Sequence, residues 1–348
     1  MQTVDFHELA DRVLAGQVPT REELREVLAV DDEELMVLLA ATRRVREARY
    51  GNRVKLQVLV NARSGHCGED CGYCSQSKVA DTPIQRYPLL DENELYARAK
   101  EAHARGATRF CMVTAGRGPT ERDIERLSAA ARRIARDFPL ELCCSVGFVN
   151  EAQVRRLGDA GVSWINHNLN TNEARYGEIC GTHTYADRVN TVRTVQQAGL
   201  KSCCGGIVGL GETDEDLIDL AFAFRELGVD SIPINFFHPG EGIPLKPDGS
   251  LDEGRCLRAL CLVRLVNPEA EVRMAGGREL HLREQQGLGL YAANALFIEG
   301  YLTTPGAGAD ETVKMIRRYG FEVERVAPTV PPELLVSGSV ETTTALTP

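Results

Sequence analysis

The chain lacks any stretch near the ~18–20 continuous apolar residues that a membrane helix requires, so a helical span is excluded. No secretory leader is expected: residues 1–20 carry Asp5, Glu8, Asp11 and Arg12 and contain no apolar run. Positive charge is in deficit. A net charge of −10 argues against broad binding to nucleic acid or to an anionic membrane, and leaves room only for a local basic pocket. No low-complexity linker divides the sequence. Cysteine is absent from residues 1–66, although the chain holds eleven. An odd number of thiols without a leader does not read as a disulfide framework. Metal-ligating or buried thiols in a reducing cytoplasm fit better.

What is present is the composition of an ordinary globular protein, 43% hydrophobic and 26% charged over 348 residues. That length allows one barrel-sized domain or two or three smaller ones. Residues 1–50 read as helical, with Leu35, Leu38, Leu39 and Val45 at helical spacing, and suit a cap or a dimer contact. From residue 54 a strand–helix pattern sets in and repeats. Strands are expected at 54–60, 109–114, 140–146, 164–170, 201–208, 231–237, 272–275 and 296–299. The helices between and after them lie at 91–106, 121–138, 151–160, 186–198, 214–227, 252–266, 283–294 and 309–319, several ending at glycine. Eight such units predict an α/β fold, a (β/α)8 TIM-type barrel over residues 51–325. An N-terminal helical extension (1–50) precedes it, and a mobile Pro- and Thr-rich tail (326–348) follows. A doubly wound open sheet is the alternative.

The densest chemistry is Cys67-Gly68-Glu69-Asp70-Cys71-Gly72-Tyr73-Cys74, a C-x3-C-x2-C loop after the first strand. Three thiolates on one short loop can hold three corners of an iron–sulfur cluster and leave a fourth open to a ligand. A zinc knuckle completed by a distant residue is the competing reading. In a barrel of this kind the loop lies at the active-site end.

Other strands are polar for a barrel core. Asn166, Asn168 and Asn170 alternate along the fourth, which puts three amides on one face and suggests a polar ligand; a strand end facing water is the alternative. Cys111, the pair Cys143-Cys144 and the pair Cys203-Cys204 fall on the second, third and fifth strands, with one member of each pair able to point inward. Arg273 on the seventh strand faces the same interior and needs an anionic partner. Cys180, Cys256 and Cys261 fall on loops or helices and read as packing or incidental. Gly205 to Thr213 lacks the G-x-G-x-x-G register of a dinucleotide loop and reads as a close approach to a ligand or as a tight turn.

These residues carry a specific resemblance. The cysteine loop is the signature of the radical S-adenosylmethionine (SAM) superfamily. Together with the segments 108–112, 166–171, 203–213, 233–235, 272–279 and 302–305, the chain resembles the biotin synthase family over residues 50–325. The resemblance implies a sulfurtransferase that cleaves SAM to a 5′-deoxyadenosyl radical and inserts sulfur into dethiobiotin to form biotin. It implies that Cys67, Cys71 and Cys74 ligate a [4Fe–4S] cluster, with Tyr73, Asn168, Asn170 and Arg188 near SAM. It further implies that Cys111, Cys143, Cys203 and Arg273 ligate a [2Fe–2S] cluster, and that Asn166, Asn168 and Asn235 surround dethiobiotin. An electron donor such as flavodoxin or ferredoxin, and a homodimer, are expected from the family. Asn170 departs from the pattern, because better-known members carry Asp there. A neutral amide predicts a similar pose with weaker SAM binding.

Other radical SAM enzymes are alternatives. A lipoyl-synthase-like member would carry cysteines within residues 1–66, and a mutase-like one would not need Cys111, Cys143, Cys203 and Arg273 together. A non-catalytic iron–sulfur or zinc protein would need a fourth ligand for the first site.

Overall fold

The computed structural model describes residues 4–65, 67–246, 251–302 and 306–325. The tail expected at 326–348 lies outside them, as does most of the segment 302–305. Ten strands form one parallel sheet: β1 (Arg53–Arg63), β2 (Arg109–Thr114), β3 (Glu141–Ser145), β4 (Val162–Asn166), β5 (Lys201–Cys203), β6 (Gly206–Val208), β7 (Ser231–Phe236), β8 (Glu271–Met274), β9 (Ala295–Phe297) and β10 (Glu322–Val323). Pairing of β1 with both β2 and β9 closes the barrel, with β5 and β6 as two halves of one stave and β10 added outside β1. The (β/α)8 expectation is met, and the open sheet is excluded by the β1–β9 pairing.

Local chemistry sets the helices between staves. Those at Glu92–Ala104, Glu121–Asp137, Glu151–Asp159, Tyr185–Gln197 and Asp214–Glu226 each start with a capping box, from Asp91, Thr120, Asn150, Thr184 and Thr213. The glycines expected to end helices at 106, 161, 199, 228 and 320 all take positive φ. Parallel strands wrapped by helices are buried on both faces, which explains why β7 and β8 have no exposed residue.

The structure departs from the sequence pattern in two places that shape the interior. The fourth stave ends at Asn166, short of Asn170, and the fifth breaks after Cys203. Both changes occur at one crossing. A side chain at Gly205 would strike the Pro233 carbonyl oxygen, 1.8 Å from an ideal Cβ, so the two backbones approach there as only glycine permits. The chain then re-pairs: Asn170 N–H donates to Gly205 O (3.0 Å) and Ile207 N–H to Asn170 O (2.8 Å). Asn170 sits at φ 71°, a left-handed conformation that asparagine tolerates. The helix expected over 283–294 is instead a set of short turns, Arg278–His281, Arg283–Gln285 and Gln286–Gly289.

The N-terminal helices Arg21–Ala29 and Leu35–Tyr50 pack on the helix Glu253–Val266, Phe6–Leu14 packs on Leu35–Tyr50, and Arg21 pairs with Glu215 (2.7 Å) and Asp219 (2.6 Å). Beneath the barrel, the wholly buried Arg264 donates to Ala292 O (2.9 Å), Ala270 O (2.7 Å), Pro268 O (3.0 Å) and Asn294 Oδ1 (2.8 Å). Burial pushes its guanidinium down to about 10, still charged at neutral pH. Arg264→Met would leave those buried acceptors without a donor, and a loss of roughly 3 kcal/mol is expected from urea unfolding. A loss under ~1 kcal/mol would mean that water replaces the guanidinium.

Candidate active site

A cavity of about 570 Å³ opens at the C-terminal ends of the strands. Its outer part is lined by Cys67, Cys71, Tyr73 and Cys74 from the loop after β1, and its inner part by Cys111 from β2, Asn166 from β4 and Arg273 from β8. The loop thiols and the inner Cys111 therefore line one cavity.

The cysteine loop is held by its own acidic residues. Glu69 accepts from Thr182 Oγ1 (2.7 Å), pairs with Arg117 (3.2 Å) and bonds His183 Nδ1. Burial opposes its anion, but these donors hold its carboxyl below the usual range. Asp70 Oδ1 accepts from the amides of Gly181 (2.9 Å) and Thr182 (3.0 Å), which together with Cys180 and Thr182 side chains outweigh burial and hold it well below the carboxylate range. Two consecutive acids inside the motif thus lace the loop to 180–183. Cys180 is drawn into the same network: its Sγ lies 3.7 Å from Cys71 Sγ and 3.3 Å from His183 Nδ1. Its reading as mere packing is therefore corrected.

On the inner floor, Cys111, Cys143, Trp164 and Cys203 form a small buried cluster apart from the main core, to which Cys144 and Cys204 belong. Strand register explains it: Cys111 pairs with Cys143, and Cys143 with Trp164. The Cys111 thiol and burial push Cys143 well above the ordinary thiol range. Arg273 Nη2 donates to Cys203 Sγ (3.2 Å) and Ser231 Oγ (2.8 Å), while its Nε is buried without a partner.

Glu271 is the buried anion beneath them. It accepts from Arg109 (2.8 Å), Gln57 (2.9 Å) and Ser231 (2.9 Å), and lies 3.5 Å from Arg273. Burial works against its charge, yet Arg109, Arg273 and Lys55 hold its carboxyl well below the usual range. For Arg273 burial alone would lower the pKa; Cys203 and Glu271 offset it, and the group stays charged. Arg109 also stacks on Trp164 at 3.6 Å.

The walls carry the expected amides, bonded differently from a simple strand face. Asn166 Nδ2 donates to Asn168 Oδ1 (2.9 Å) and Cys203 Sγ (3.1 Å). Asn168 Oδ1 also accepts from Gly205 N–H (3.0 Å), and Arg188 Nη1 donates to Asn168 O (2.9 Å). Asn170 Nδ2 donates to Tyr73 Oη (2.5 Å), tying the segment after the fourth stave to the cysteine loop. Asn235 bridges Gly206 O (3.2 Å) and Gly276 N–H (3.0 Å).

Every expected site residue except Cys143, Cys203 lines the cavity itself, and those two lie directly behind its floor. Sequence reasoning missed Glu271, Arg109, His183 and the role of Cys180. The first two were within reach: Glu271 stands two before Arg273 and Arg109 two before Cys111, on the same strand faces. No local pattern announced the other two.

The radical SAM superfamily model matches residues 62–224, and the biotin and thiamin synthesis associated domain matches 233–322. The chain is 45% identical to biotin synthase of Geobacillus kaustophilus over 91% of its length and 95% of that protein. It is 44% identical to biotin synthase of Bacillus subtilis strain 168 over 92% and 95%. Among solved structures, methylornithine synthase superposes with a TM-score of 0.80 at 22% identity, over 91% of this chain and 97% of that one, a likeness of fold.

Buried His167, beside Phe148 at 5.0 Å, has its Nε2 unpartnered. Burial, then the charges of Arg188 and His183, keep its pKa well below the ordinary value. The native state thus stays neutral where the unfolded chain takes up a proton. Stability from this group is intact above pH ~6.5 and should fall by about 1.4 kcal/mol per unit below it. Urea midpoints between pH 7.5 and 5.5 should show that slope flattened by about one proton in His167→Gln; equal slopes would mean that His167 titrates normally.

Proposed function

Because the chain belongs to the biotin synthase family, we infer that its cavity joins two metal centres acting on one substrate. The enzyme is a radical SAM sulfurtransferase that inserts sulfur into dethiobiotin to form biotin, with a [4Fe–4S] cluster, a [2Fe–2S] cluster and SAM as cofactors. When bound, the four-iron cluster and SAM supply a carbon radical that takes hydrogen from an unactivated carbon, and the two-iron cluster supplies sulfur.

The donor sets fit these groups. Cys67, Cys71 and Cys74 would hold the four-iron cluster, and three thiols leave one iron for SAM. Cys111, Cys143, Cys203 and Arg273 would hold the two-iron cluster. The unpartnered, buried Nε of Arg273 supports that reading, since a group bound there would meet a donor that protein leaves unsatisfied. This convergence of three thiols and one arginine, at the floor of the cavity that the loop thiols line, carries the proposal.

The remaining residues position and shield. Arg188, fixed by Asn168 O and charged, would meet the SAM carboxylate. Asn170 and Tyr73, already bonded to each other, would face its nucleoside. Asn166, Asn168 and Asn235 would meet the polar ring of dethiobiotin, with their own backbone bonds fixing each amide's orientation. Phe297, Val113 and Ile207 supply an apolar lining that keeps water from a reactive carbon.

The finer assignments rest on supporting features. An electron donor such as flavodoxin or ferredoxin follows from the need to reduce the cluster. A homodimer is supported by Leu14, Val18, Met36 and Val37, apolar side chains left exposed on the N-terminal extension. A reducing cytoplasm is supported by eleven cysteines that are all free; among the described residues no helix is long and apolar enough to cross a membrane.

Anaerobic reconstitution should load ~6 iron per chain, falling to ~4 in Cys111→Ala. That variant should still form 5′-deoxyadenosine from SAM and make no biotin. Biotin output surviving the change would remove the floor thiols from the role of sulfur site. Asn170→Asp should tighten SAM binding roughly threefold in equilibrium dialysis, because a carboxylate accepts a stronger hydrogen bond than an amide. Unchanged affinity would detach residue 170 from the cofactor.

A further inference from the structure

Cys180 has no place in the chemistry above, yet it is buried against a residue that does. Its Sγ lies 3.7 Å from that of Cys71, the middle thiol of the loop, which is van der Waals contact between sulfurs. The contact is built from both sides. Gly72 N–H donates to Ile179 O (2.8 Å), joining the residue after Cys71 to the residue before Cys180. On the opposite side, Asp70 accepts from the amides of Gly181 and Thr182, joining the residue before Cys71 to the two after Cys180. Two loops 109 residues apart are therefore clamped immediately around one pair of thiols. A disulfide requires close, constrained backbones, and this clamp supplies them.

We propose that Cys71 and Cys180 are a reversible redox pair: in the iron-free chain, oxidation joins them, masks a cluster ligand and protects it from irreversible oxidation. The inference goes beyond the sulfur-insertion reading; only its consequence for cluster loading rests on that reading. The oxidant is a peroxide. One thiolate attacks the peroxide oxygen, the O–O bond breaks, and a sulfenic acid forms with release of water. The second sulfur attacks the sulfenic sulfur, the S–S bond forms, and a second water leaves. Overall two thiols and one hydrogen peroxide give a disulfide and two waters. A dithiol reductant returns two electrons and two protons, and both thiols are restored. When iron occupies Cys71, that sulfur is committed to the metal and the pair cannot close. The device thus acts only on a chain that is waiting for its cluster.

The clamp also distinguishes Cys180 from the other candidate partners of Cys71. Cys67 and Cys74 share its loop, so any disulfide with them closes a ring of a few residues and bends the loop itself. Closing onto Cys180 joins two sulfurs already in contact, between loops already held together by backbone hydrogen bonds.

The experiment uses the full-length chain, stripped of iron with a chelator under reductant and then desalted anaerobically. One equivalent of hydrogen peroxide is added, free thiols are alkylated, and tryptic peptides are sequenced by mass spectrometry. Cys71 falls in the peptide 64–78 and Cys180 in 176–188, so their union gives a distinct linked species. The expected result is that this species, with fragmentation assigning the bond to Cys71, accounts for most of the oxidised Cys71. Cys71 joined instead to Cys67 or Cys74, or found as sulfinic acid with Cys180 free, would overturn the proposal. This readout needs no variant and no cluster, so it is independent of whether the iron assignments hold. In Cys180→Ala, checked for a native circular dichroism spectrum and melting transition, a roughly tenfold molar excess of peroxide given alike to both proteins, since a sulfinic acid consumes two peroxides and a sulfonic acid three, should leave severalfold more Cys71 as sulfinic or sulfonic acid than in wild type. Iron uptake after dithiothreitol should then fall severalfold below that of equally treated wild type. Equal overoxidation of Cys71 in the two proteins would refute the protective role. Untreated wild type loaded in parallel reports whether the site takes iron at all, which separates failure of this proposal from failure of the cluster reading.

Discussion

One buried carboxylate constrains the centre of this barrel. Glu271 lies between Arg109 and Arg273, all three nearly without solvent contact. A guanidinium taken out of water costs several kcal/mol unless an anion and hydrogen-bond acceptors replace its hydration. Attraction to Glu271 at a few ångströms, about 4 kcal/mol in a moderately polarisable interior, is of the size needed to offset that cost. The net stabilisation is small, and the geometric consequence is large. Arg109 lies along the ring of Trp164, and Arg273 is aimed at Cys203 and Ser231. The second metal site is in this sense built from below: the floor fixes the arginine before any cluster is present. Gln57 from β1 and Ser231 from β7 bond the same carboxylate, so one anion ties together four strands, β1, β2, β7 and β8.

Barrel closure then sets the distance between the two chemistries. The loop after β1 must rise over the rim, while Cys111, Cys143 and Cys203 lie within the strands, below it. A substrate entering the cavity meets both sets of thiols because β1 and β2 are neighbours, with Leu59 opposite Cys111. The amides of Asn166 and Asn168 stand between the levels, and their backbone and sulfur bonds prevent them from turning away. A radical generated at the rim is useful only if the target carbon is held still beneath it. The wall residues are pre-oriented for that task.

The barrel was legible because its signal is repetitive: helical and strand periods alternate eight times, and closure follows from that count. The cysteine loop was legible because its ligands are adjacent in sequence. The positions of Asn168 and Asn170 were less so. Alternation would put them on one strand face with Asn166, but the close crossing at Gly205 ends the strand and turns Asn170 into a left-handed conformation. Their side chains still reach the cavity, by a different route. Cys180 and His183 were not legible at all. Their importance depends on two loops meeting through Glu69 and Asp70, and no one-dimensional pattern records which loops meet above a barrel.

The eleven cysteines show how environment divides one chemistry into several. Cys144, Cys204, Cys256 and Cys261 are buried among apolar side chains, and burial raises each thiol's pKa, so they remain protonated and unreactive. Cys111, Cys143 and Cys203 are as deeply buried but lie in a separate cluster with Trp164, where Arg273 donates to Cys203 Sγ and Arg109 stacks on the Trp164 ring, so these thiols meet cations and not only apolar side chains. The rim thiols have Arg188 nearby and stay partly open to solvent at Cys67 and Cys74. Openness lets iron and SAM enter, and it also admits oxidants. An enzyme whose first cluster must be assembled at an accessible edge therefore has a reason to keep a further thiol there, and Cys180 is the one the fold brings into contact.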